Sequence, residues 1–368
     1  MKKIYSLLLS ATILLLNVHT ANAKIWRVNN KSNYNGTSIY GDNLGGTSTY
    51  PVFNQINQAV AWAAVANNDT LYVEGSTTVY VSATVTKKLA IIGAGYFLTE
   101  NPKVTNDALE VKVSQLTLNV QGSSVTGLNI VVNGYASDGK IYVNASGITV
   151  KRCRIERGVQ FATELTDVYI LQNFFSNTYA TNAFYTNGYS SFIAPTGIIF
   201  NNNICQKTLN WNTWPVKQCK NNVFDGPVNA SPNLQLQFTT SEFSNNILKT
   251  TNASVDINGG NKEKLTYNIG TLSTQFGTAN NNKVIADITT LFVASGTSDG
   301  KYQLKTNSKG SKNGSDGADR GAFGGAVAQN RYTLSGLANI PVIYKLTTSG
   351  VATQSSGLSV TISARTIK

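Results

Sequence analysis

The fold of this chain is decided by seven short segments that share one pattern. With their residue numbers they are VTGLNI (125–130), VKRCRI (150–155), ILQNFF (170–175), IFNNNI (199–204), QCKNNV (218–223), FSNNI (243–247) and LTYNI (265–269). Each ends on an apolar residue, and these end points recur at an average interval of about 23 residues. A period of this length is typical of stacked supersecondary units, so the sequence predicts a solenoid.

Asparagine recurs two residues before the end of these segments. Four consecutive segments place Asn173, Asn202, Asn221 and Asn245 at this position. Stacked strands lie about 4.8 Å apart, so equivalent asparagine amides can hydrogen-bond along the stack as a ladder. Asparagine also tolerates the left-handed backbone of a sharp turn. The pattern therefore predicts a parallel β-helix in which these four side chains form a ladder; the alternative is chance repetition in an asparagine-rich chain.

Residues 1–23 are predicted to be a secretory signal peptide. Lys2 and Lys3 precede an apolar run at 4–18, and ANA at 21–23 offers small residues for cleavage. The apolar run is shorter than the roughly 20 residues that a membrane-spanning helix needs. We expect an exported protein, either secreted, periplasmic or held at the cell surface, with no transmembrane segment.

Removal of the signal peptide leaves no histidine, because His19 is the single histidine of the chain. Histidine-dependent catalysis and histidine-ligated zinc are thereby excluded for the mature protein.

The formal net charge of +12 falls to +10 when Lys2 and Lys3 are removed. A basic exported protein favours anionic partners such as uronate or sulfated polysaccharides. Nucleic acid is not expected, since only 13% of residues are charged and no dense Lys/Arg tract occurs.

The three cysteines, Cys153, Cys205 and Cys219, are an odd number for an exported chain. They occupy different positions of the repeat, which argues against a bridge between neighbouring coils. We therefore expect buried free thiols, with a disulfide between Cys205 and Cys219 as the alternative.

A capping helix and short strands are predicted on the N-terminal side of the repeats. Apolar residues in 52–66 recur at helical spacing, and an amphipathic helix there would cover the open end of the strand stack. DTLYV (69–73) and KLAIIGAG (88–95) then read as strands. A helix followed by these two motifs resembles the first coils of the right-handed parallel β-helix proteins of the pectin-lyase-like superfamily. The resemblance covers residues 50–97, and the repeats up to residue 270 continue it.

The resemblance implies an all-β chain with one right-handed parallel β-helix domain over residues 24–328. The glycine-rich stretch 298–325 resembles the terminal coil of exported bacterial β-helices, and the layout resembles surface proteins of the Bacteroidetes type. Residues 329–368 contain two or three predicted strands. They are expected to form a short β appendage or a surface-retention tail.

Enzymes of this superfamily work on the outer face of the coils. Its lyases use Arg or Lys to abstract a proton next to a uronate carboxylate, which calcium or another cation neutralises. Its hydrolases use paired aspartates as acid and base. In this chain the acids of the repeats are scattered and no Asp-Asp pair stands on a coil. A hydrolase and a metal-binding acidic cluster are therefore disfavoured; no cofactor is expected, except calcium if the protein is a lyase.

The coil VKRCRIERG (150–158) is the strongest candidate site. Lys151, Arg154 and Arg157 are the candidate catalytic residues of a lyase, and Arg152 is a candidate for substrate binding. Four basic groups can bind an anionic sugar, and the high pKa of arginine favours binding over proton abstraction. The alternative is a solvated polar face.

Aromatic residues of two neighbouring segments are the second candidate site. Tyr179, Tyr185, Tyr189, Trp211 and Trp214 are predicted to contact substrate. Aromatic faces pack on sugar rings, and long loops on a rigid scaffold often carry binding residues. The alternative is that these side chains pack the loops onto the coils.

Three functions are compatible with the sequence. The favoured one is a monomeric secreted or cell-surface protein that binds polysaccharide, with an anionic glycan as its partner. The first alternative is a uronate-polysaccharide lyase acting by β-elimination, and the second is a structural or adhesive surface module. Binding is favoured over catalysis because no catalytic set of the superfamily can be carried over residue by residue.

Overall fold

The computed structural model describes residues 23–34, 40–104, 108–179, 181–188, 192–227, 234–251, 253–294, 296–348 and 357–366. Residues 1–22 of the predicted signal peptide, including His19, lie outside these ranges, as does Tyr189. Within the described ranges, no helix has the length and apolar character needed to cross a membrane.

The chain winds through three sheets of parallel strands. Sheet 1 contains eleven strands: Ile25–Val28, Val52–Phe53, Thr70–Val73, Ala90–Ile92, Ser124–Thr126, Thr149–Lys151, Val168–Leu171, Ile198–Asn201, Gln218–Lys220, Glu242–Ser244 and Leu265–Thr266. Sheet 2 contains nine: Lys112–Val113, Asn129–Ile130, Arg154–Ile155, Phe174–Phe175, Ile204–Cys205, Val223–Phe224, Ile247–Leu248, Ile269–Gly270 and Lys283–Val284.

Sheet 3 is built in two parts. The first part has five strands: Ala83–Val85, Leu116–Leu118, Lys140–Val143, Gly158–Phe161 and Phe184–Thr186. A second part of three strands continues it: Leu209–Pro215, Leu234–Thr239 and Ser254–Ile257. A bridge between Asn182 and Thr208 links the two parts.

Between Ala90 and Ile257 each coil passes through sheet 1, sheet 2 and sheet 3 in that order. Thr149–Lys151 is followed by Arg154–Ile155 and Gly158–Phe161, and the chain returns to sheet 1 at Val168–Leu171. Each strand pairs in parallel with its equivalent one coil away, as Val150 does with Ile170. The predicted parallel β-helix is therefore confirmed.

The core is the apolar interior of this coil. Phe200, Phe224 and Phe243 stack along it, with ring planes within 14° of parallel. All three cysteines are buried and unpaired, as predicted. Burial raises the pKa of Cys153 and Cys205 to about 12, so both remain protonated thiols at neutral pH.

The turn from sheet 1 to sheet 2 uses two residues for different purposes. The first adopts positive φ, between 52° and 59°: Arg152, Gln172, Asn202, Asn221, Asn245 and Tyr267. The second forms the ladder: Asn173, Asn203, Asn222, Asn246 and Asn268. Asn282, just before the last strand of sheet 2, extends the ladder by one residue. Each ladder oxygen accepts bonds from one coil back; Asn246 Oδ1, for example, lies 2.9 Å from both the backbone N and the Nδ2 of Asn222.

The predicted ladder is correct at Asn173 but wrong by one residue at Asn202, Asn221 and Asn245. Two apolar residues follow each of these later asparagine pairs. In the coil at 223–224, Phe224 belongs to the interior core and Val223 to a second apolar cluster outside sheet 2. Because both faces of this sheet are covered, alternation of apolar and polar residues does not fix the register.

The capping helix is shorter than the predicted 52–66. It spans Ile56–Ala61, because Val52–Phe53 pairs as a strand with Arg27 and Val28 and Trp62 is extended. Asn57 accepts a hydrogen bond from Thr84 N at 3.0 Å and donates to Ser82 O at 2.8 Å. These bonds cover the free edge of the first strand of sheet 3, which is the protective role expected of a cap.

The C-terminal part differs from the terminal coil expected at 298–325. A short helix, Ser273–Phe276, precedes the last strand of sheet 2, Lys283–Val284. After this strand the chain runs back along the outside of sheet 2. We call residues 285–340 the strap. It buries an apolar row on that face: Phe174, Ile204, Val223, Ile247 and Ile269. A two-stranded antiparallel hairpin, Pro341–Thr348 and Val360–Thr366, then forms the predicted β appendage.

Candidate functional site

The four basic residues of the coil at 150–158 do not form one site. Lys151 ends a sheet 1 strand, Arg154 lies on sheet 2, and Arg157 immediately precedes a sheet 3 strand. Arg152 occupies the turn between the first two sheets. The coil passes through all three sheets, so residues that are adjacent in sequence are distributed around the solenoid.

Arg152 is placed as an anchor for the C-terminal part of the chain. Only 2% of it is exposed, and burial lowers its pKa. Its guanidinium donates to Gln172 Oε1 at 2.6 Å, to Leu337 O at 2.9 Å and to Asn339. These contacts give Arg152 a structural role rather than the substrate contact expected from the sequence.

Arg154 is also engaged within the protein. Its guanidinium pairs with Glu156 at 3.0 Å, donates to Asn129 at 3.2 Å and lies 5.3 Å from the centre of the Phe97 ring. Lys151, on another face, is half-buried, and its pKa is lowered by burial and by the Arg152 charge. The structure therefore does not bring Arg154 and Lys151 together with Arg157.

Arg157 instead joins a group of polar and aromatic residues on the outer face of sheet 3. Tyr142, Gln160 and Tyr185 occupy equivalent positions on three successive strands and point outward, because their strand neighbours are buried in the core. Lys140 lies beside them on the same face. We call Lys140, Tyr142, Arg157, Gln160 and Tyr185 the sheet-3 patch.

Gly158 makes the close arrangement of the sheet-3 patch possible. A Cβ atom at this position would approach the Tyr185 ring to 2.9 Å and Ala183 O to 2.4 Å, and its φ of +146° disfavours other residues. Lys140 pairs in register with Gly158. Its ammonium lies 4.8 Å from the centre of the Tyr185 ring and 3.2 Å from Gln160 Oε1. The missing side chain thus lets a tyrosine ring and a lysine from different coils meet.

The two neighbouring positive charges of Lys140 and Arg157 favour an anionic ligand at the patch. Burial, followed by the charge of Arg157, lowers the pKa of Lys140. Burial raises the pKa values of Tyr142 and Tyr185, so both phenols are neutral and can donate hydrogen bonds. Beside them the buried Lys207 donates to the backbone carbonyl of Tyr179, and burial lowers its pKa to about 8.

The aromatic residues predicted from sequence fall into two groups. Trp211 is buried against Phe161 and Phe184, each with ring centres 5.4 Å away, and the half-buried Trp214 packs on Trp211 at 5.0 Å. Both tryptophans lie on the strand Leu209–Pro215 and pack against the core. Tyr185 belongs to the patch, and Tyr179 adjoins it, with 42% of its surface exposed and its ring 5.8 Å from the Arg157 guanidinium.

The acidic residues nearest to the patch are Glu156 and Asp138. They bond to backbone N–H groups of residues 132–135 and do not form a catalytic pair. Glu156 accepts the Val132 N–H at 2.9 Å, and Asp138 accepts the N–H groups of Asn133 and Tyr135 at 3.1 and 3.0 Å. Among the described residues, no three His, Cys, Asp or Glu side chains are grouped to hold a metal ion.

Sequence reasoning missed Lys140, Tyr142 and Gln160. Their signal was strand alternation: in KIYV (140–143) the apolar Ile141 and Val143 point inward, which leaves the other two residues outside. The patch offers two cations for carboxylate or sulfate groups, ring faces for sugar C–H surfaces and several hydrogen-bonding groups.

In comparisons with known proteins, no protein-family model, curated protein or solved structure matches the chain.

Proposed function

We propose that this chain is an exported protein that binds an anionic polysaccharide on the sheet-3 patch. The observation that carries the proposal is the position of Lys140, held against Tyr185 across Gly158 with Arg157 on the same side. A cation beside an aromatic face suits a uronate or a sulfated sugar, which presents a charged group and an apolar C–H surface.

The direction of the strands supports a chain-like ligand. Successive coils lie about 4.8 Å apart, so a glycan lying along the solenoid axis meets equivalent positions repeatedly. Thr84 and Thr117 extend the outward column of Tyr142, Gln160 and Tyr185 to five strands. A ligand longer than one sugar can therefore contact several coils, and we expect affinity to increase with chain length.

The predicted signal peptide, the positive net charge and the resemblance of residues 50–97 to the pectin-lyase-like superfamily support the same proposal. Anionic polysaccharides occur outside the cell. A protein exported to meet them needs a basic surface that its own acids do not neutralise.

The test is calorimetric titration of the mature chain with polygalacturonate, alginate and a sulfated glycosaminoglycan, with dextran as an uncharged reference. Lys140→Ala and Arg157→Gln are each expected to weaken binding about tenfold, which corresponds to the loss of one charge-assisted contact. Lys264→Ala removes an exposed charge from a distant coil and is expected to leave affinity unchanged. Equal affinity of all three variants would contradict the proposal.

A uronate lyase remains the second candidate because neutral tyrosines stand beside the two cations. In this reaction Arg157 would neutralise the carboxylate, and Lys140, in its neutral form, would take the proton from C5. Tyr142 or Tyr185 would protonate the leaving oxygen as the C4–O bond breaks and a C4–C5 double bond forms. Ultraviolet absorbance of the unsaturated product, with and without calcium, separates lyase from binder. Failure to retain any glycan would favour the structural module instead.

A further inference from the structure

The side chains at the positive-φ turn position hold the strap onto the solenoid. Gln172 Nε2 donates to Gln329 O at 2.7 Å, and Asn202 Nδ2 donates to the carbonyls of Ala322 and Gly324, each at 2.9 Å. Asn245 exchanges hydrogen bonds with Ser315. Arg152 and Tyr267 contact the strap at the two ends of this row, through Leu337 and Arg320 respectively. Five of the six turn residues thus contact the strap.

Asn221 interrupts this row. It is only 8% exposed, yet the side-chain Oδ1 of Asn221 is buried and accepts no hydrogen bond from any residue in the described part of the chain. Its Nδ2 lies close to Gly325 of the strap, 3.1 Å from where a Cβ on that glycine would be. A buried amide oxygen without a partner is uncommon and calls for an explanation in terms of a ligand or solvent.

A groove of about 370 Å³ opens at Asn221, between the outer face of sheet 1 and the strap. Tyr169 and Ile199 form an apolar strip on adjacent strands, and Asn201 and Gln218 lie beside it. Val327 of the strap forms part of the opposite wall. The groove spans three successive strands of sheet 1, or about 10 Å along the solenoid axis.

The charges in the groove are already balanced. Lys220 pairs with Glu242 at 2.8 Å, and the carboxylate of Asp316 accepts the N–H groups of Ala318 and Ala326 at 3.1 and 2.7 Å. One cation and one anion line the groove, and each has a partner. An ionic ligand therefore gains little there, which distinguishes this groove from the sheet-3 patch.

We propose that this groove binds an uncharged saccharide of one or two sugar units. The C–H face of the sugar packs on Tyr169 and Ile199, and a hydroxyl group bonds to the side-chain amide of Asn221. This site takes a different class of ligand from the sheet-3 patch and lies on a different face of the solenoid. The protein would thereby hold an anionic polysaccharide and a neutral sugar at the same time.

Saturation-transfer NMR and calorimetry on the mature chain, with cellobiose, maltose, lactose and mannobiose, test the proposal. Asn221→Gly removes the amide and keeps the positive φ, and Tyr169→Ala removes the ring from the outer face. Asn281→Gly is the matched control, because it makes the same change at an exposed positive-φ residue away from the groove. Digalacturonate is the charged comparison ligand.

At least one neutral disaccharide is expected to bind the wild-type chain and the Asn281→Gly and Arg157→Gln variants equally. Its affinity is expected to fall at least tenfold in Asn221→Gly and in Tyr169→Ala. Absence of binding by all four neutral sugars overturns the proposal, as does binding that survives both groove substitutions. If digalacturonate binding is lost only in Arg157→Gln while no neutral sugar binds, the sheet-3 patch is supported and the groove proposal is overturned, so the two proposals fail separately.

Discussion

The outer faces of sheet 2 and sheet 3 belong to the same coils but are used in opposite ways. On sheet 2, the apolar row that includes Ile204, Val223 and Ile247 is completely buried under the strap. On sheet 3, Tyr142, Gln160 and Tyr185 remain partly exposed. The strap covers the outer face of sheet 2, whereas the outer face of sheet 3 exposes charged and aromatic side chains to solvent.

This difference separates structural from functional residues within one repeat. Arg154 and Arg157 are three positions apart, yet Arg154 bonds to Glu156 and Asn129 on sheet 2, while Arg157 belongs to the sheet-3 patch. Substitutions on the covered side should reduce stability, and substitutions on the open side should reduce binding. The following predictions test this division, from the largest expected effect to the smallest.

Asn222→Ala is expected to have the largest effect, because it breaks the ladder at the start of sheet 2. Asn222 Oδ1 accepts bonds from the N–H and the amide of Asn203, and its own Nδ2 donates to Phe200 O at 2.9 Å. Several buried polar groups would lose partners, so we expect the free energy of unfolding to fall by about 3–5 kcal/mol. Urea unfolding is the measurement. Asn221→Gly, at the neighbouring residue, should cost less than about 1 kcal/mol; equal losses would place the ladder at the wrong residue.

Ile247→Ala tests whether the strap forms a packed second core. The side chain is fully buried outside sheet 2, so the substitution should leave a cavity and lower the free energy of unfolding by about 2–4 kcal/mol. Val284→Ala, on the same sheet with 39% of the residue exposed, should change it by less than about 0.5 kcal/mol. Similar small effects of both substitutions on chemical unfolding would show that the strap does not cover this face in solution.

Lys207→Met tests the buried charge next to the patch. The pKa of Lys207 is lowered from 10.5 to about 8 in the folded chain. Between pH 8 and 10.5 the unfolded chain therefore binds a proton that the folded chain has released, and stability rises with pH. Relative to Lys207→Met, the wild type should gain roughly 1–3 kcal/mol across this range. Urea unfolding of both proteins at pH 7.5 and 10 measures the change; a constant difference would contradict the assignment.

Gln160→Ala should have the smallest effect on stability. The side chain is partly exposed and accepts one hydrogen bond from Lys140, so the free energy of unfolding should change by less than about 0.5 kcal/mol. Affinity for an anionic glycan should nevertheless fall several-fold, because Lys140 loses the contact that orients it. A combined calorimetric and urea experiment would contradict this division if stability fell and affinity did not.

The sequence was sufficient to predict the solenoid and its interior. Recurring apolar and asparagine positions report the coil period directly, and Asn173 was assigned correctly to the ladder. The assignment slipped by one residue at Asn202 because the strap buries the outer face of sheet 2 as well. That cover is a long-range contact between residues far apart in the chain, so local alternation could not reveal it.

The candidate site was less predictable for a related reason. Grouping residues by sequence proximity selected Lys151, Arg152 and Arg154, which the coil places on different faces. Lys140 and Tyr185 are 45 positions apart and meet only because their strands flank Gly158. Tryptophan serves both in core packing and in sugar binding, so the sequence could not distinguish these roles for Trp211 and Trp214. Only their burial in the structure does so.

Hydroxyl-radical footprinting tests most directly where an anionic polysaccharide binds. The side-chain oxidation rates of Tyr142, Tyr179 and Tyr185 would be compared with and without polygalacturonate, and the exposed Tyr50 serves as an internal reference. We predict slower oxidation of the first three tyrosines and an unchanged rate at Tyr50. Saturating ligand that leaves these three rates unchanged, or that protects Tyr169 on sheet 1 instead, would contradict the assignment of the sheet-3 patch.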